Sequence, residues 1–588
     1  MTNKYKDKAP RETIFLFKKK LEELGFSFSE SVQKVTENIY WVKLTDPFHN
    51  NFQTYGKGTT LEYAMASAYG EAIERVQCLW FNKAVNWKNT SKNIFEDFIY
   101  SPEEKYLTGA ELLEKFPLLS KDLEQKIHYS VLSSSVVSNS LSSYLENFKK
   151  EKHPCVKFSY YNNKNQEYLP LESIYLLQGS TGMCSGNTES EALIQGLSEI
   201  FERWVEEYIY ENKLTPPEIP FDYIETRYPQ ICNLIKEVKD SQGYDSYVYD
   251  CSLGKNVPVV CVVFVDRETL TYKKSFGAHP KMEIALERCF TEALQGCALK
   301  EEAQKNCNTV YMSSFLEEKW NTQSQYEGRY NTHTGSIPYT MFYEVPSWEF
   351  KPWGSGDIHY TNDTAWGDLK EVCRALKWDL FYRDFSFLGV PSYYIYVPGI
   401  SSNKRSFDDL CDSSLYRDSF IRSIKNKQPL STSSKELIMN LLERDLLHTD
   451  TIGNWVDQNT ILLSLYVEFR KFNEAQFLIR KVFNYSRTFL CLEKELELRE
   501  LGISEENRDS ILSRFFEEEY IEHIRRFWRG GDIYLKLVQY DHLLPCFKEY
   551  SPERDIIYKE EAKDSNVSTF KVCKNIKEKI LQYYSSKD

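Results

Sequence analysis

Three glutamates at helical spacing and an arginine in one short stretch, Glu191, Glu199, Glu202 and Arg203, mark where this chain can do chemistry. Gly182 to Trp204 reads GMCSGNTESEALIQGLSEIFERW. It passes from a small-residue loop into the helical spacing of Leu193, Leu197, Ile200, Phe201 and Trp204. Thr188 and Glu191 fit a capping box, which predicts a helix starting near Asn187 or Thr188. At roughly 100° per residue, Glu191 and Glu202 lie about 20° apart, and Glu199 about 80° from Glu191. The carboxylates therefore leave one side of an otherwise apolar helix. Like charges buried together are costly unless cations neutralise them. The cations at hand are Arg203 and a divalent metal.

The stretch has an internal copy. A shift of 128 residues places Gly58 on Gly186, Thr60 on Thr188, Ala64 on Ala192, Glu71 on Glu199, Glu74 on Glu202 and Arg75 on Arg203. In this copy Thr59 and Glu62 are read as the capping box. A decayed third copy begins at Phe276-Gly-Ala-His-Pro. A shift of 93 places Ala192 on Ala285 and Glu199 on Glu292, with Arg288 one turn before Glu292. Gln295 and Gly296 replace the second Glu and the Arg. The pairs Glu71–Arg75 and Glu199–Arg203 also have a plain explanation, since such i, i+4 pairs stabilise a helix surface by about 0.3–0.5 kcal/mol. Glu191 is equally explained as a capping partner. The doubled motif, set among apolar and small residues, argues for a site. Carboxylates in this number suit magnesium, and arginines then have an anion to hold. Together they point to a polyphosphate, most simply ATP. No Walker loop, kinase motif set or Rossmann fingerprint is present, and Gly56-Lys57-Gly58 is too short to be a phosphate loop.

The elements that must position these residues follow from the local pattern. Leu16, Phe17, Leu21, Leu24 and Phe26 give an N-terminal helix its apolar face, and Asn38 to Leu44 alternates as a strand. Strands are expected at Ser173 to Leu177 before the second carboxylate helix, and at Pro258 to Asp266 and Thr271 to Ser275 before the third. Asp250 to Gly254 reads as a turn and Pro391 to Val397 as a strand. Residues 300 to 365 are partly loop. The fold class expected is α+β, a body of repeated sheet-plus-helix units over 1–405. An all-α domain follows over 406–588, in which Leu462 to Val482 resembles one tetratricopeptide repeat.

Bulk properties set outer limits. The formal charge of -13 argues against direct nucleic-acid binding, which needs basic faces. No apolar run is long enough for a membrane span, and no signal peptide is visible. The 14 cysteines show no Cys-x-x-Cys and no Cys/His cluster, which disfavours zinc, iron–sulfur and disulfide frameworks. A reducing cytoplasm is expected.

The motifs Gly182-Met-Cys-Ser-Gly-Asn-Thr, Gln195 to Arg203, Ser275 to Pro280, Ala285 to Arg288, Thr291 to Gly296 and Gly70-Glu-Ala-Ile-Glu-Arg75 resemble the YcaO family over the first 400 residues. The helical tail and Leu21-Glu-Glu-Leu-Gly-Phe26 resemble its stand-alone bacterial branch. The resemblance implies ATP and magnesium bound without a Walker loop. It implies activation of a peptide carbonyl by phosphorylation of its oxygen. It also implies a protein or peptide substrate and a homodimer. The stand-alone branch is associated with methylthiolation of an aspartate in a ribosomal protein of the small subunit. Here that chemistry would need a separate radical iron–sulfur enzyme. By the same resemblance, Glu71, Glu74, Glu199, Glu202 and Glu292 form the magnesium and phosphate set. Arg203 and Arg288 contact phosphate. Lys6, Thr13, Cys184, Asn187 and Glu191 contact nucleotide. Cys184 stands where the family pattern has Ser. The end, Tyr583-Tyr-Ser-Ser-Lys-Asp, lacks the proline-rich tail of azoline-forming cyclodehydratases.

Other residues have plainer readings. His279 is a turn histidine before it is a base. Cys184 lacks a His partner for nucleophilic work. Trp455 is core, and Glu493 to Glu500 is a solvated helix face. No catalytic residue is assigned. Two alternatives to an accessory factor for ribosomal-protein methylthiolation stay open. One is an azoline-forming cyclodehydratase, the other a non-catalytic nucleotide-binding scaffold.

Overall fold

The computed structural model describes residues 6–49, 52–84, 98–123, 149–150, 152–161, 165–267, 271–294, 339–353, 360–402, 458–482, 487–528 and 571–586, with isolated positions between 432 and 443. Trp455 and most of 300–365 lie outside them. Compact units comprise residues 1–407 with 568–588, and residues 408–567. The sequence reading kept 406–588 together. The final helix instead belongs with the first unit, because Val572, Cys573, Ile576 and Ile580 are buried in the same core as Leu24 and Phe26.

The first unit is built on antiparallel strands: β1 (Ser29–Lys34), β2 (Tyr40–Asp46), β3 (Phe52–Gly58), β4 (Lys105–Thr108), β5 (Lys152–Tyr160), β6 (Gln166–Pro170), β7 (Met183–Ser185), β8 (Asp245–Asp250), β9 (Val259–Asp266), β10 (Thr271–Ala278), β11 (Phe381–Asp384) and β12 (Ser392–Tyr396). They form three sheets, β1-β2-β3, β4-β5-β11-β12-β7 with β6 beside β5, and β10-β9-β8. Strand β9, VVCVVFVD, is apolar on both faces because helices cover both. Val260, Val262 and Phe264 pack with Leu286 and Phe290, while Val259, Cys261 and Val263 pack with Ile200, Phe201 and Val205.

The helices that matter are α1 (Pro10–Leu24), α2 (Leu61–Gln77), α3 (Glu189–Glu211), α4 (Met282–Ala293) and α5 (Asn362–Ala375). Helix α1 stops at Gly25, whose φ of 107° only glycine adopts cheaply. Each of α2, α3 and α4 follows a strand, so β3–α2, β7–α3 and β10–α4 are three strand–helix units. Thr60 caps α2 by accepting from the Tyr63 N–H, one residue later than the expected Thr59. Thr188 caps α3 in the same way through Glu191 N–H. The third unit has Lys281 at this place and no side-chain cap.

Helix and strand touch closely in each unit. A Cβ at Gly56 would fall 2.1 Å from Ala64 O, and one at Gly277 2.2 Å from Ala285 O. The equivalent residue of the second unit is Cys184, and there the helix yields instead. A Cβ at Gly196 would lie 2.9 Å from Cys184 Sγ. Ala68 and Cys289 occupy the Gly196 position in the other units. One small residue at each crossing is therefore required, and the chain places it on the strand twice and on the helix once.

Other expectations need correction. Ser173 to Leu177 lies within a helix, Leu171–Gln178, not a strand. Its run of Ile, Tyr and Leu suits either state, and Leu171, Ile174 and Tyr175 stack on one buried helical side. Among its described residues, the second unit is helical over Gln458–Glu468, Phe472–Val482, Arg487–Glu500, Glu505–Leu512 and Glu518–Trp528. Within it, Glu493 to Glu500 is not a solvated face. Glu495 is buried and accepts from Arg499 Nε at 2.7 Å and Arg508 Nε at 3.0 Å.

Candidate functional site

A cavity of about 360 Å³ opens among α1, α2, α3, α4, the ends of β3 and β7, and the start of α5. It brings together Lys6, Thr13, Glu71, Glu74, Asn187, Glu191, Glu199, Glu202, Arg203, Arg288 and Glu292. Cys184 is not among them. Its thiol is fully buried and donates to Tyr393 O at 3.4 Å. Successive strand residues point to opposite faces, so it is Ser185 that turns to the cavity, donating to Gly70 O at 2.8 Å. Burial pushes the Cys184 thiol well above its ordinary pKa, which also removes it as a nucleophile.

One group of contacts is built around Glu191. Its carboxylate pairs with Lys6 at 3.1 Å. It also accepts from Asp7 N–H at 3.0 Å and from the Asn187 amide at 3.1 and 3.2 Å. Thr13 donates to Asn187 Oδ1 at 2.9 Å. Glu191 is thus more than a capping partner. Burial opposes its ionisation, but Lys6, the Asp7 N–H and Asn187 outweigh it, and its pKa falls below the usual carboxylate range.

The second group comes from the repeated motif. Arg75 donates to Glu74 at 2.6 Å and to Glu71 at 3.1 Å, and Glu71 also accepts from Tyr55 N–H at 2.7 Å. Arg203 donates to Glu199 at 2.9 Å, while its Nε is buried without a hydrogen-bond partner. Arg288 donates to Gln195 Oε1 at 2.7 Å. Lys57 pairs with Glu292. Burial, with Glu199 and Glu71 adding repulsion against the pull of Arg75, raises Glu74 well above the normal carboxylate pKa. Burial raises Glu202 too, against the opposing pull of Arg288 and Arg203. Burial and Arg288 bring Lys57 down to about 7 despite the attraction of Glu202, Glu71 and Glu199.

Lys57, Ser185 and Gln195 were not picked out as site residues by the sequence reading. The available signal for Lys57 was its place between two glycines directly before a helix cap. His279, read from the sequence as a turn histidine, makes such a backbone bond and also lines the cavity. Its Nδ1 accepts from Lys281 N–H at 2.9 Å, which leaves any ring proton of the neutral form on Nε2. Burial, then Arg288, Lys6 and Lys281, keep it neutral.

Among the described residues, no three Asp, Glu, His or Cys side chains converge closely enough to hold a metal ion as they stand. The carboxylates are instead drawn to Arg75, Arg203 and Lys57. The donor set nevertheless fits a magnesium polyphosphate. It offers hard oxygens that burial disfavours as bare charges, and an arginine with an unused buried N–H. The fold and cavity thus define a carboxylate-and-arginine site carried on three strand–helix units.

Comparison with known proteins places the chain. Residues 55–401 match the family model described as YcaO cyclodehydratase, ATP- and Mg2+-binding. The chain is 30% identical over 447 residues to the Escherichia coli ribosomal protein S12 methylthiotransferase accessory factor YcaO, covering 75% of this chain and 72% of that protein. It is also 30% identical over 399 residues to an uncharacterized protein of Haemophilus influenzae, covering 67% and 65%. Among solved structures, YcaO from Methanopyrus kandleri bound with AMPPCP and Mg2+ superposes with a TM-score of 0.41 at 16% identity, covering 67% of this chain and 92% of that one. The chain belongs to the YcaO family, and ATP and magnesium are its cofactors.

Proposed function

We propose that this protein uses ATP and magnesium to activate a carbonyl group of a polypeptide, as an accessory factor for β-methylthiolation of a small-subunit ribosomal protein. The observation that carries this reading is the meeting of Glu71, Glu74, Glu199, Glu202, Arg203, Arg288 and Glu292 in one cavity, next to the Lys6–Thr13–Asn187–Glu191 cluster. The similarity to the Escherichia coli accessory factor supplies the substrate class.

In this reading Glu71, Glu74, Glu199, Glu202 and Glu292 hold magnesium, and Arg203 and Arg288 hold phosphate oxygens. Lys6, Thr13, Asn187 and Glu191 orient the nucleoside end. ATP, when bound, supplies the phosphoryl group that makes a carbonyl oxygen a leaving group. The protein's own part is positioning and charge neutralisation. Arg75 holds Glu71 and Glu74 in place. The chain would act in the cytoplasm as a homodimer, beside a separate radical iron–sulfur methylthiotransferase. The helices of 408–567 would form a tetratricopeptide-like module for partner binding.

Calorimetry with ATP and magnesium tests the site. Glu199→Gln with Glu202→Gln is expected to weaken binding by about 100-fold or more, since two charged ligands are lost. Equal binding by wild type and variant overturns the assignment. Mass spectrometry of small-subunit ribosomal proteins from cells lacking the chain tests the substrate, with loss of a methylthio group expected.

A further inference from the structure

Each carboxylate that opens the Glu-x-x-Glu-Arg motif has a cation four residues on. Glu71 has Arg75 and Glu199 has Arg203. The equivalent of Glu199 in the third unit is Glu292, and four residues beyond it stands Gly296. The missing cation comes from a different unit, because Lys57 on β3 reaches Glu292 on α4. The corresponding strand residues of the other units are Ser185 and Ala278, so at this strand position the first unit alone carries a charge.

Two properties separate Lys57 from the arginines. Its backbone is fixed between Gly56 and Gly58, where a Cβ would fall 2.1 Å from Ala64 O and 2.7 Å from Ala64 N respectively. Its ammonium is a point charge on a flexible four-carbon stem, whereas Arg75 and Arg203 offer planar forks held on the same helix as their partners. A lysine anchored at its base and mobile at its tip can leave one anion for another nearby.

We propose that Lys57 is an exchangeable counter-ion, which neutralises Glu292 until a divalent cation takes its place and then serves the terminal phosphate of a nucleoside triphosphate. This rests on the magnesium and ATP reading of the cavity. Lys57 is then a specificity residue that distinguishes triphosphate from diphosphate. It also keeps the carboxylates from gathering metal before the nucleotide is present.

The test is calorimetry on the full-length wild type and on Lys57→Met and Lys57→Arg, titrating magnesium chloride alone, ADP with magnesium, and ATP with magnesium. For Lys57→Met, affinity for magnesium alone is expected to rise several-fold, because Glu292 loses its resident cation. Its preference for ATP over ADP is expected to fall about 10-fold, the value of one charged hydrogen bond. Retained ADP binding shows that the variant is folded. Lys57→Arg is expected to keep most of the ATP preference and serves as the deciding variant if Lys57→Met binds no nucleotide. An unchanged ATP-to-ADP ratio together with unchanged magnesium affinity in Lys57→Met overturns the proposal. So does a Lys57→Arg variant that folds and discriminates no better than Lys57→Met. If wild type itself binds neither nucleotide, the reading of the cavity is what fails.

Discussion

In the first strand–helix unit Arg75 holds both neighbouring carboxylates, and Glu71 takes a backbone N–H besides. In the second, Arg203 holds Glu199 and keeps a buried Nε unmatched, while Glu202 faces Arg288 and Lys57 from the other units. The spacing is the same and the wiring differs. The first copy pairs its carboxylates within itself, whereas the second keeps an unmatched buried donor beside whatever enters the cavity. A motif count alone would have weighted the two copies equally.

The largest expected break in this comparison comes from removing each arginine. Arg75→Met strands two carboxylates in a largely buried place and is expected to cost about 3 kcal/mol of stability in urea unfolding. Arg203→Met strands one and is expected to cost about 1 kcal/mol, yet to weaken ATP binding more than any stability loss explains. Equal unfolding costs for the two variants would erase the distinction between the self-paired and the open copy.

A smaller effect concerns the crossing of strand and helix. Gly196→Ala drives a Cβ against Cys184 Sγ and is expected to cost about 2 kcal/mol. Adding Cys184→Gly rebuilds the arrangement of the first unit, with its Gly56 and Ala68. The double variant should then be less destabilised than the sum of the single changes by about 1 kcal/mol. Strict additivity would mean that the two positions do not share one space.

The smallest effect is a pH dependence of opposite sign at two glutamates of α3. Glu202 has its folded pKa raised by burial, so the folded state keeps that proton longer than the unfolded chain. Its contribution is most favourable below the unfolded carboxylate pKa and declines as pH rises toward the folded value. Glu191 is shifted the other way by Lys6, the Asp7 N–H and Asn187, overcoming burial. Its contribution is present above the unfolded pKa and is lost as pH falls through the folded one. Unfolding without nucleotide should therefore show Glu202→Gln removing a decline above the unfolded pKa and Glu191→Gln removing a gain on the acid side. Matching profiles for the two variants would contradict both shifts.

Much of the site was legible because its residues sit on helices at fixed spacing. Periodicity placed α2, α3 and α4, and the shifts of 128 and 93 aligned their carboxylates. Four things were hidden. Which way a strand residue points depends on the exact start of a short strand, and β7 has only three residues, so Cys184 and Ser185 were exchanged. The link between Lys57 and Glu292 joins residues far apart in sequence, with no local pattern to announce it. The helix Leu171–Gln178 is short and apolar, the case in which strand and helix patterns look alike. Buried Glu495 is not legible because Arg508 reaches it from the next helix, while the charge run around it, Arg499 included, resembles a wet surface.

Strand β9 carries a consequence for how the molecule must assemble. A segment reading VVCVVFV is a hazard in any chain that has not yet folded, since it pairs readily with copies of itself. Its partners here are the strands immediately before and after it in sequence, in antiparallel register from Asp245 to Ala278. Both edges can therefore be claimed by short loop closures as soon as this span leaves the ribosome, without the longer-range docking of helix α3 on one face. This aggregation-prone strand thus has both its neighbours supplied by the adjoining sequence.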